Sequence, residues 1–562
     1  MTCITDFPHS GADISAALIP AVRAAAAGDR ILFFPPGEYH IYPSGCTTRY
    51  CYFSNNDHGL KTIALRLEDL EDFTVRGPDA LLIFHGRISP LYAFNCRNLT
   101  VEGLKVDFED SFVSDADLVK RENGVAWFRF PGKHRVEAGR IIFTDDPYDN
   151  LSGKLPFISY DPATGEIPYD SKTITVPNRA ILCRDGLVGV EDRFAEAKTT
   201  AFMVKHEERF CPGMVFDGCR DLNLKDVTIH HCCGIGIMIQ NTENCRLHGV
   251  VVEPRGRRAS SSVDSVHIAD CRGQIRVEEC RLSGTLDDSL NVHGMFRKLK
   301  SRIPGGKFYY LEQGHRQQEG VFNVRAGDTM RLYDRRSGRP YAEIKLTDVK
   351  AGTSAFVAVK FDESELPAEF VQGDPALIVE TLAELEVVNT ECRPLHGRGI
   401  LASGLKKVHI SGCRLHSSFS GVFISGDWSY WYESGPVEEA VIENNVFDNC
   451  DYNLHGPTQE ALAVFPELAE LTEGYFYHGA IRIRNNTFRA PVRPLISVMS
   501  AAEAEVTGNR LESDDRYPFV PRSVPGWYFT NADSPAISFL HCGKIIERDN
   551  AGFDPTTGKA EK

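Results

Sequence analysis

The chain has 562 residues, ordinary proportions of hydrophobic and charged side chains, and a formal net charge of −15 at neutral pH. Such a chain can bury a large core, and its composition is that of a globular protein. The negative charge disfavours nucleic acid, anionic membranes and polyanionic substrates, but it does not disfavour a neutral ligand.

Targeting signals are not evident in the sequence. The first residues lack a basic stretch followed by an apolar one, so we expect no signal peptide and a cytoplasmic location. Secretion or periplasmic export is the alternative if a leader has been removed. No run of about 18 apolar residues predicts a membrane span. The 16 cysteines lack the CxxC pairs of a zinc site and are expected to be buried, reduced thiols.

The chain begins with a predicted capping element. Residues 13–27 are rich in alanine and favour a helix, with Pro20 either breaking it or lying in its first turn. Residues 31–41 follow as an apolar strand with a Pro-Pro-Gly turn. A helix followed by such a strand resembles the N-terminal cap of right-handed parallel β-helix enzymes. A solenoid needs a cap because its first coil would otherwise expose an apolar end.

An eight-residue pattern of alternating apolar positions then recurs along the chain. Its copies are residues 99–106, 222–229, 245–252, 275–282, 408–415, 440–447, 481–488 and 504–511. Alternation places every second side chain inside a coil, and Asn or Gly supplies the left-handed residue at the corner between two short strands. One coil cannot bury its own apolar face, so coils stack. We therefore predict an all-β fold, a right-handed parallel β-helix with an N-terminal capping helix.

Two long stretches interrupt the repeat with short alternating strands and turns rich in Gly and Asp, which predict small inserted β-barrels. The predicted divisions are 1–111 for the cap and first coils, 112–205 for the first insertion, 206–296 for the coils with the acidic residues, 297–385 for the second insertion, and 386–562 for the last coils and tail.

The acidic segment predicts the functional site. Asp264 and Asp288 begin similar Asp-Ser-apolar sequences and lie 24 residues apart (288 − 264). If one coil has about that length, the two side chains stack, because neighbouring strands lie roughly 4.8 Å apart. Asp287 adds a third carboxyl group, and such crowding raises at least one pKa. The alternative is a calcium site, or a ladder of aspartates capped by backbone N–H groups.

Geometry adds one condition to this prediction. Side chains of adjacent residues point to opposite faces of an ideal strand. Asp287 and Asp288 can therefore reach one site only at a strand end or a bulge, and Gly284 just upstream is compatible with either. Three clustered aspartates suit an inverting glycosidase, in which one acid protonates the leaving oxygen and the others act on water.

The cap, the coils, the two insertions and the spacing of Asp264 with Asp287-Asp288 resemble glycoside hydrolase family 110, the α-1,3-galactosidases that act on blood-group-B-type glycans. The segment from Trp431 to Gly435 agrees. The resemblance implies an exo-acting, inverting enzyme that removes terminal α-1,3-linked galactose from neutral glycans and needs no metal or other cofactor. It also implies that Asp287 is the general acid and that Asp264 and Asp288 position and deprotonate water.

Five further residues are candidate substrate-binding groups. Asn291 and His293 follow the acidic pair and alternate to the same side of the predicted strand. Arg255 interrupts the repeat next to a proline. Trp431 and Glu433 lie in an irregular aromatic segment, whose exposed rings suit stacking on sugar faces.

Two other functions remain open at this point. A polygalacturonase-like β-helix hydrolase also uses such an aspartate trio, but the Arg-Ile-Lys segment of that family is missing here and the acidic balance disfavours a polyanion. A non-catalytic β-helix glycan-binding protein would not need clustered aspartates. Oligomeric state and the choice between linear and fucosylated branched substrates are not predicted.

Overall fold

Three long, mainly parallel sheets form the sides of a right-handed β-helix, as predicted. The computed structural model describes residues 1–144, 153–206, 209–428, 430–453, 458, 460–517, 530–531 and 533–553. Most coils contribute one strand to each sheet, and the side chains that point inward form one continuous apolar core along the helix. None of the described helices is both long enough and apolar enough to cross a bilayer.

The strands of each sheet are given in the order in which they pair. Sheet 1 contains Thr2–Cys3, Ile31–Phe33, Thr74–Arg76, Thr100–Glu102, Arg220–Lys225, Glu243–His248, Arg272–Glu278, Ala383–Val388, Leu405–Ser411, Val437–Glu443, His478–Arg484, Ala501–Thr507 and Lys544–Arg548. Sheet 2 contains Gly37–Ile41, Ala80–Phe84, Lys105–Phe108, Thr228–Ile229, Val251–Val252, Arg281–Ser283, Glu391–Arg393, Arg414–Leu415, Val446–Asp448, Thr487–Ala490 and Arg510–Ser513. Sheet 3 contains Thr47–Cys51, Gly59–Glu68, Ile88–Phe94, Met214–Asp217, Ile237–Gln240, Val266–Ala269, Leu290–His293, Ile400–Ser403, Val422–Gly426, Leu462–Pro466, Ile496–Met499 and Ile537–Leu540.

Residues in the left-handed conformation turn the chain from sheet 1 to sheet 2, as the repeat predicted. Gly103 has φ +77° and Asn485 has φ +52° at equivalent corners. The next residue along several later coils is an inward-pointing asparagine that joins successive coils. Asn486, for example, accepts from the backbone N–H of Asn445 and donates to the carbonyl oxygen of Ile442. These bonds satisfy corner backbone groups that would otherwise be buried without partners.

The N-terminal cap is present, but its α-helix spans only Leu18–Ala27. The predicted helix began at residue 13, where the Asp13 carboxylate instead accepts from the backbone N–H of Ser15 at 2.9 Å and holds a turn. Pro20 lies in the first turn of the helix, where its missing N–H costs no hydrogen bond. Short 3₁₀ turns occur at Ile4–Asp6, Ser15–Ala17, Pro43–Gly45, Arg316–Gln318, Glu363–Glu365 and Val379–Thr381.

The two β-barrel-like insertions are seven-stranded antiparallel sheets, each with its own apolar core. The first contains, in pairing order, Ile174–Pro177, Lys154–Ser159, Ala201–Lys205, Val113–Glu122, Val125–Arg129, Leu187–Glu191 and Leu182–Arg184, with a separate hairpin of Arg135–Glu137 and Arg140–Ile142. The second contains Pro340–Lys345, Thr329–Tyr333, Asp374–Ile378, Arg297–Arg302, Tyr309–Gln313, Phe356–Lys360 and Asp348–Ala351.

Buried ion pairs join the second insertion to the β-helix. Arg297, at the start of the insertion, is fully buried and pairs with Asp270, which directly follows a strand of sheet 3. The Arg272 guanidinium donates to both carboxylate oxygens of Asp328, at 2.9 and 2.6 Å. These contacts fix the insertion beside the outer face of sheet 3.

The cysteines are all free thiols, and most are buried, as expected. Cys96, Cys219 and Cys245 belong to the core of the β-helix. Cys183 is an exception, because it lies exposed on a strand of the first insertion.

Candidate active site

Two neighbouring strands of sheet 3 bring the aspartates together. Val266 pairs with Leu290, and His267 pairs with Asn291, so the coils are in the predicted 24-residue register. Asp264 and Asp288 therefore occupy the same position in successive corners, two residues before each strand. The backbone N–H of Asp288 donates to Oδ1 of Asp264 at 3.2 Å. The predicted stacking of the two aspartates is confirmed.

Asp287 reaches the same side as Asp288 because neither residue belongs to a strand. The strand begins only at Leu290, and the preceding corner is irregular from Gly284, which has φ +75°. The strand-end geometry that the sequence required is therefore the one observed. One carboxylate oxygen from each of Asp264, Asp287 and Asp288 lies within 4.8 Å of the other two.

Two arginines that the sequence analysis missed face this cluster. Arg398 donates from its backbone N–H and from Nε to Oδ1 of Asp288, both at 2.9 Å, and its Nη2 lies 2.9 Å from Oδ2. Nη2 of Arg209 lies 3.3 Å from Oδ2 of Asp287. Arg398 was detectable in principle, since it stands two residues before the strand that begins at Ile400, in the register of the stacked aspartates.

The glycine before Arg398 permits this arrangement. A Cβ atom on Gly397 would lie 2.2 Å from the backbone oxygen of Asp287, which no real contact allows. The coil that carries Arg398 therefore packs directly against the backbone of the acidic corner.

Burial perturbs the acidity of the two inner aspartates. Burial, followed by the neighbouring charge of Asp287, raises the pKa of Asp264 well above its ordinary value. Burial also raises the pKa of Asp288 to about 7, although the Arg398 guanidinium opposes that rise. Carboxyl groups whose pKa is raised by burial in this way are typical of catalytic sites.

The three carboxyl groups line a cavity of about 290 Å³ on the outer face of sheet 3. Four lining residues, Asn291, Leu401, Phe423 and Ser425, belong to strands of this sheet, and the others lie outside strands. The cavity is lined by Asn55, Arg209, Asp264, Asp287, Asp288, Asn291, Arg398, Leu401, Phe423, Ser425, Asp427, Trp431, Glu433 and Glu467.

Glu433 and Asn291, both predicted as binding residues, line the cavity together. Nδ2 of Asn291 donates to Oε2 of Glu433 at 3.2 Å, and Nδ2 of Asn55 donates to Oε1. Burial opposes the charge of Glu433, but His293, His267 and these amide donors lower its pKa to about 2. Within the described part of the chain, Oδ1 of Asn291 has no hydrogen-bond partner.

Trp431 also lines the cavity, as predicted, and is half-buried. The carboxylate of Asp427 accepts from its backbone N–H at 2.6 Å and fixes the loop. The Arg209 guanidinium lies 5.2 Å from the indole centroid, and the imidazole of His315, from the second insertion, lies 4.9 Å from it. An insertion residue thus supports an aromatic wall of the cavity.

Two predicted binding residues are not brought to the cavity. His293 is buried beneath it, where its Nε2 lies 2.8 Å from Nε2 of His267. Arg255 follows the strand Val251–Val252 of sheet 2, and its Nη1 lies 3.6 Å from Oδ2 of Asp107, which belongs to the second strand along that sheet, Lys105–Phe108. The turn that begins at Pro254 therefore directs Arg255 to a different side of the coil.

The aspartate cluster has the spacing of a cation site, the alternative raised by the sequence. Its charge, however, already has protein partners in Arg398 and Arg209. Hard cations prefer six to eight oxygen ligands, and both oxygens of Asp288 are engaged by a guanidinium. Metal independence stays a prediction, which chelation of the purified protein tests.

Comparisons with known proteins find sequence relatives that cover most of the chain. No family model matches the chain. The chain is 27% identical over 534 residues to α-1,3-galactosidase A of Bacteroides fragilis, covering 92% of this chain and 88% of that protein. It is 25% identical over 563 residues to α-1,3-galactosidase B of Akkermansia muciniphila, covering 96% of this chain and 68% of that protein.

Among solved structures, an exopolygalacturonase of Yersinia enterocolitica covers 98% of this chain and 78% of its own, with 9% identity and a TM-score of 0.38. A likeness of that size carries no argument about function. The sequence relatives confirm the resemblance of this chain to the α-1,3-galactosidases of glycoside hydrolase family 110 over most of its length.

Proposed function

We propose that this chain is an exo-acting α-galactosidase that hydrolyses terminal α-1,3-linked galactose from neutral glycans, linear or of the blood-group-B type, with inversion. The observation that carries the proposal is the cluster of three aspartates that lines a small cavity. The names of the relatives support the choice of galactose and of the linkage.

Exposure supports the division of roles within the cluster. The side chain of Asp287 is 32% exposed, whereas that of Asp288 is 1% exposed. Asp287 is thus the member that extends into the cavity, where it protonates the leaving oxygen. Asp264 and Asp288 hold the water that attacks the anomeric carbon from the other face of the sugar, and the first product is β-galactose.

The binding of Asp288 by Arg398 favours inversion over retention. A retaining enzyme uses one carboxylate as a nucleophile that bonds to the sugar. Oδ1 of Asp288 already accepts two hydrogen bonds, and Oδ2 contacts Nη2 of Arg398. These contacts restrain the carboxylate from moving onto carbon as a nucleophile, while Oδ2 keeps a lone pair that can accept the proton of a water molecule. The oxygen separation within the cluster, at most 4.8 Å, is below the roughly 6.5–9.5 Å usual for an acid and a base in inverting enzymes. That separation is closer to the roughly 5–5.5 Å of a retaining pair, so the proposal of inversion rests on the contacts of Asp288 with Arg398 and not on the spacing.

Size and charge favour a single neutral sugar. A cavity of about 290 Å³ is at the lower end of the roughly 300–1,000 Å³ found for small-molecule sites. Its two described cationic side chains, Arg209 and Arg398, both face aspartates. A uronate carboxylate would thus meet an acidic wall, which disfavours a polygalacturonase-like activity. The Trp431 ring offers an apolar surface of the kind that stacks on sugars.

Proton NMR of the reaction at early times tests the proposal. We expect β-galactose to be released first from a linear α-1,3-galactobioside and from the branched B-type trisaccharide. α-Galactose as the first product would contradict inversion, and release of galacturonic acid from polygalacturonate would favour the alternative enzyme. Binding of these glycans without cleavage would indicate a glycan-binding protein.

A further inference from the structure

A chain of three short contacts runs from Asp264 into the interior behind the cavity. Oδ2 of Asp264 lies 2.6 Å from Nδ1 of His267, and Nε2 of His267 lies 2.8 Å from Nε2 of His293. Nδ1 of His293 lies 2.8 Å from the carbonyl oxygen of Gly294. The side chains are sealed from solvent, since His267 is 0%, His293 2% and Asp264 4% exposed.

Each of these contacts needs one proton between its two atoms. The carbonyl oxygen of Gly294 can only accept, so Nδ1 of His293 carries a proton and, in the neutral ring, Nε2 does not. That nitrogen must then accept from a protonated Nε2 of His267, which leaves Nδ1 of a neutral His267 bare. The contact with Asp264 therefore requires a third proton, which two neutral imidazoles do not supply.

We propose that the hydrogen-bond chain through His267 and His293 keeps one proton between Asp264 and His267. Asp264 therefore does not act as the base, and Asp288 is the carboxylate that takes the proton of the attacking water. This division of labour rests on the hydrolytic function proposed above. As the water oxygen bonds to the anomeric carbon, its proton passes to Asp288, and the proton of Asp287 passes to the departing oxygen. His267 and His293 are positioning residues in this scheme, because neither lines the cavity.

The surroundings favour Asp264 as the site of the held proton. Burial lowers the pKa of His267 to about 4 and also lowers that of His293, while it raises that of Asp264. The charged groups around His267 are Glu433, Arg209, Asp288 and Asp287, and Asp270 acts on His293. A proton on the Asp264–His267 pair removes one negative charge from this crowded acidic site, which like-charge repulsion favours.

Nitrogen-15 NMR of the full-length protein with labelled histidine side chains tests the proton count directly. We expect His293 as its Nδ1–H tautomer with a bare Nε2, and His267 with a protonated Nε2. The His293→Gln and His267→Asn variants assign the signals by their disappearance. A bare Nδ1 on His293 would overturn the proposal. If a variant fails to fold, neutron diffraction from a deuterated wild-type crystal locates the same protons.

Kinetics provide the second test. An asparagine at position 264 imitates a protonated aspartate, because its Nδ2 can donate to His267 while its Oδ1 still accepts from the backbone N–H of Asp288. We expect Asp264→Asn to keep the Nδ1–H signal of His293 and to retain at least about tenfold more kcat/KM on an aryl α-galactoside than Asp288→Asn does, since only Asp288 is the base. Equal loss in both variants would overturn the division of labour.

The His267→Asn variant separates a positioning role from a merely structural one. We expect its kcat to fall by about 10²-fold with little change in KM, because Asp264 loses its orientation. The His409→Asn variant, at a histidine whose side chain is 40% exposed, is the matched control and should retain wild-type kcat. A wild-type protein with the expected tautomers that cleaves no galactoside would support the proton chain and overturn the proposed function.

Discussion

At the scale of single residues, the site depends on the different environments of three neighbouring carboxyl groups. Asp287 extends into the cavity, Asp288 is bound by Arg398, and Asp264 contacts the buried His267. Chemically identical side chains thus take different roles because their burial and their partners differ. Two predictions belong to this scale.

Replacing the general acid should depend on the leaving group. A general acid contributes roughly 10²–10⁴-fold, so Asp287→Asn should lose at least that factor in kcat on an α-1,3-galactoside with a sugar leaving group. An aryl galactoside with a good leaving group hardly needs protonation and should be affected far less. Steady-state kinetics on both substrates measure the difference, and equal losses would remove Asp287 from this role.

The raised pKa of Asp288, the proposed base, predicts how kcat/KM changes on the acidic side of the pH profile. The pKa of Asp288 is raised to about 7, chiefly by burial, and the group accepts a proton only when ionised. kcat/KM on the aryl galactoside should therefore be highest above that pH and fall as the pH drops through it. In Arg398→Gln the opposing cation is lost, so the pKa should rise and the acidic limb should move to higher pH. An unmoved limb would show that another group controls it.

At the scale of elements, the corner of each coil, rather than its strands, carries the chemistry. The strands of sheet 3 fix the register, and the irregular segments before them present the aspartates and Arg398. Corners can vary in sequence without disturbing the core, so a repetitive fold can hold a site that does not repeat.

A substitution at Gly397 tests how closely its corner must approach the corner that holds Asp287. An alanine there would place Cβ 2.2 Å from the backbone oxygen of Asp287, which would push the acidic corner and Arg398 apart. We expect Gly397→Ala to lower kcat by about 10²-fold, the effect of misplacement by roughly 1 Å. Gly132→Ala is the matched control, because nothing lies within 4 Å of the added carbon. Wild-type kcat in both variants would contradict the inference.

At the scale of the whole molecule, a long helix of coils supports the site and the second insertion helps to wall it. The buried Arg297–Asp270 pair and His315 beside Trp431 link that insertion to the cavity. Loss of the ion pair that holds the insertion in place should therefore also change the shape of the cavity.

Breaking the buried pair should be costly. Asp270→Ala would leave the fully buried Arg297 guanidinium without its partner, and such losses cost about 3–5 kcal/mol in the free energy of unfolding. Denaturant unfolding followed by tryptophan fluorescence measures the change. Arg302→Ala, which removes a half-exposed partner of Glu363, is the control and should cost no more than about 1 kcal/mol. Similar midpoints for both variants would show that the pair does not anchor the insertion.

Much of this arrangement could be predicted from the sequence because it is periodic. The alternating copies predict the coils, and the 24-residue offset predicts the stacked aspartates that the strand register confirms. Contacts between distant segments could not be predicted in the same way. Arg209 follows the first insertion, and Arg255 carries an equally plausible charge but faces Asp107. The path of the loops decides which of these two arginines reaches the cavity, and no local sequence pattern predicts that path.

The thiols buried inside the β-helix make its unfolding detectable by chemical labelling. Cys96, Cys219 and Cys245 are sealed in the core, whereas Cys183 is open to solvent. A thiol-alkylating reagent should mark Cys183 at once and reach the interior thiols only when coils separate. The mass gained with time would then show whether the coils open one after another from an end of the helix or all together.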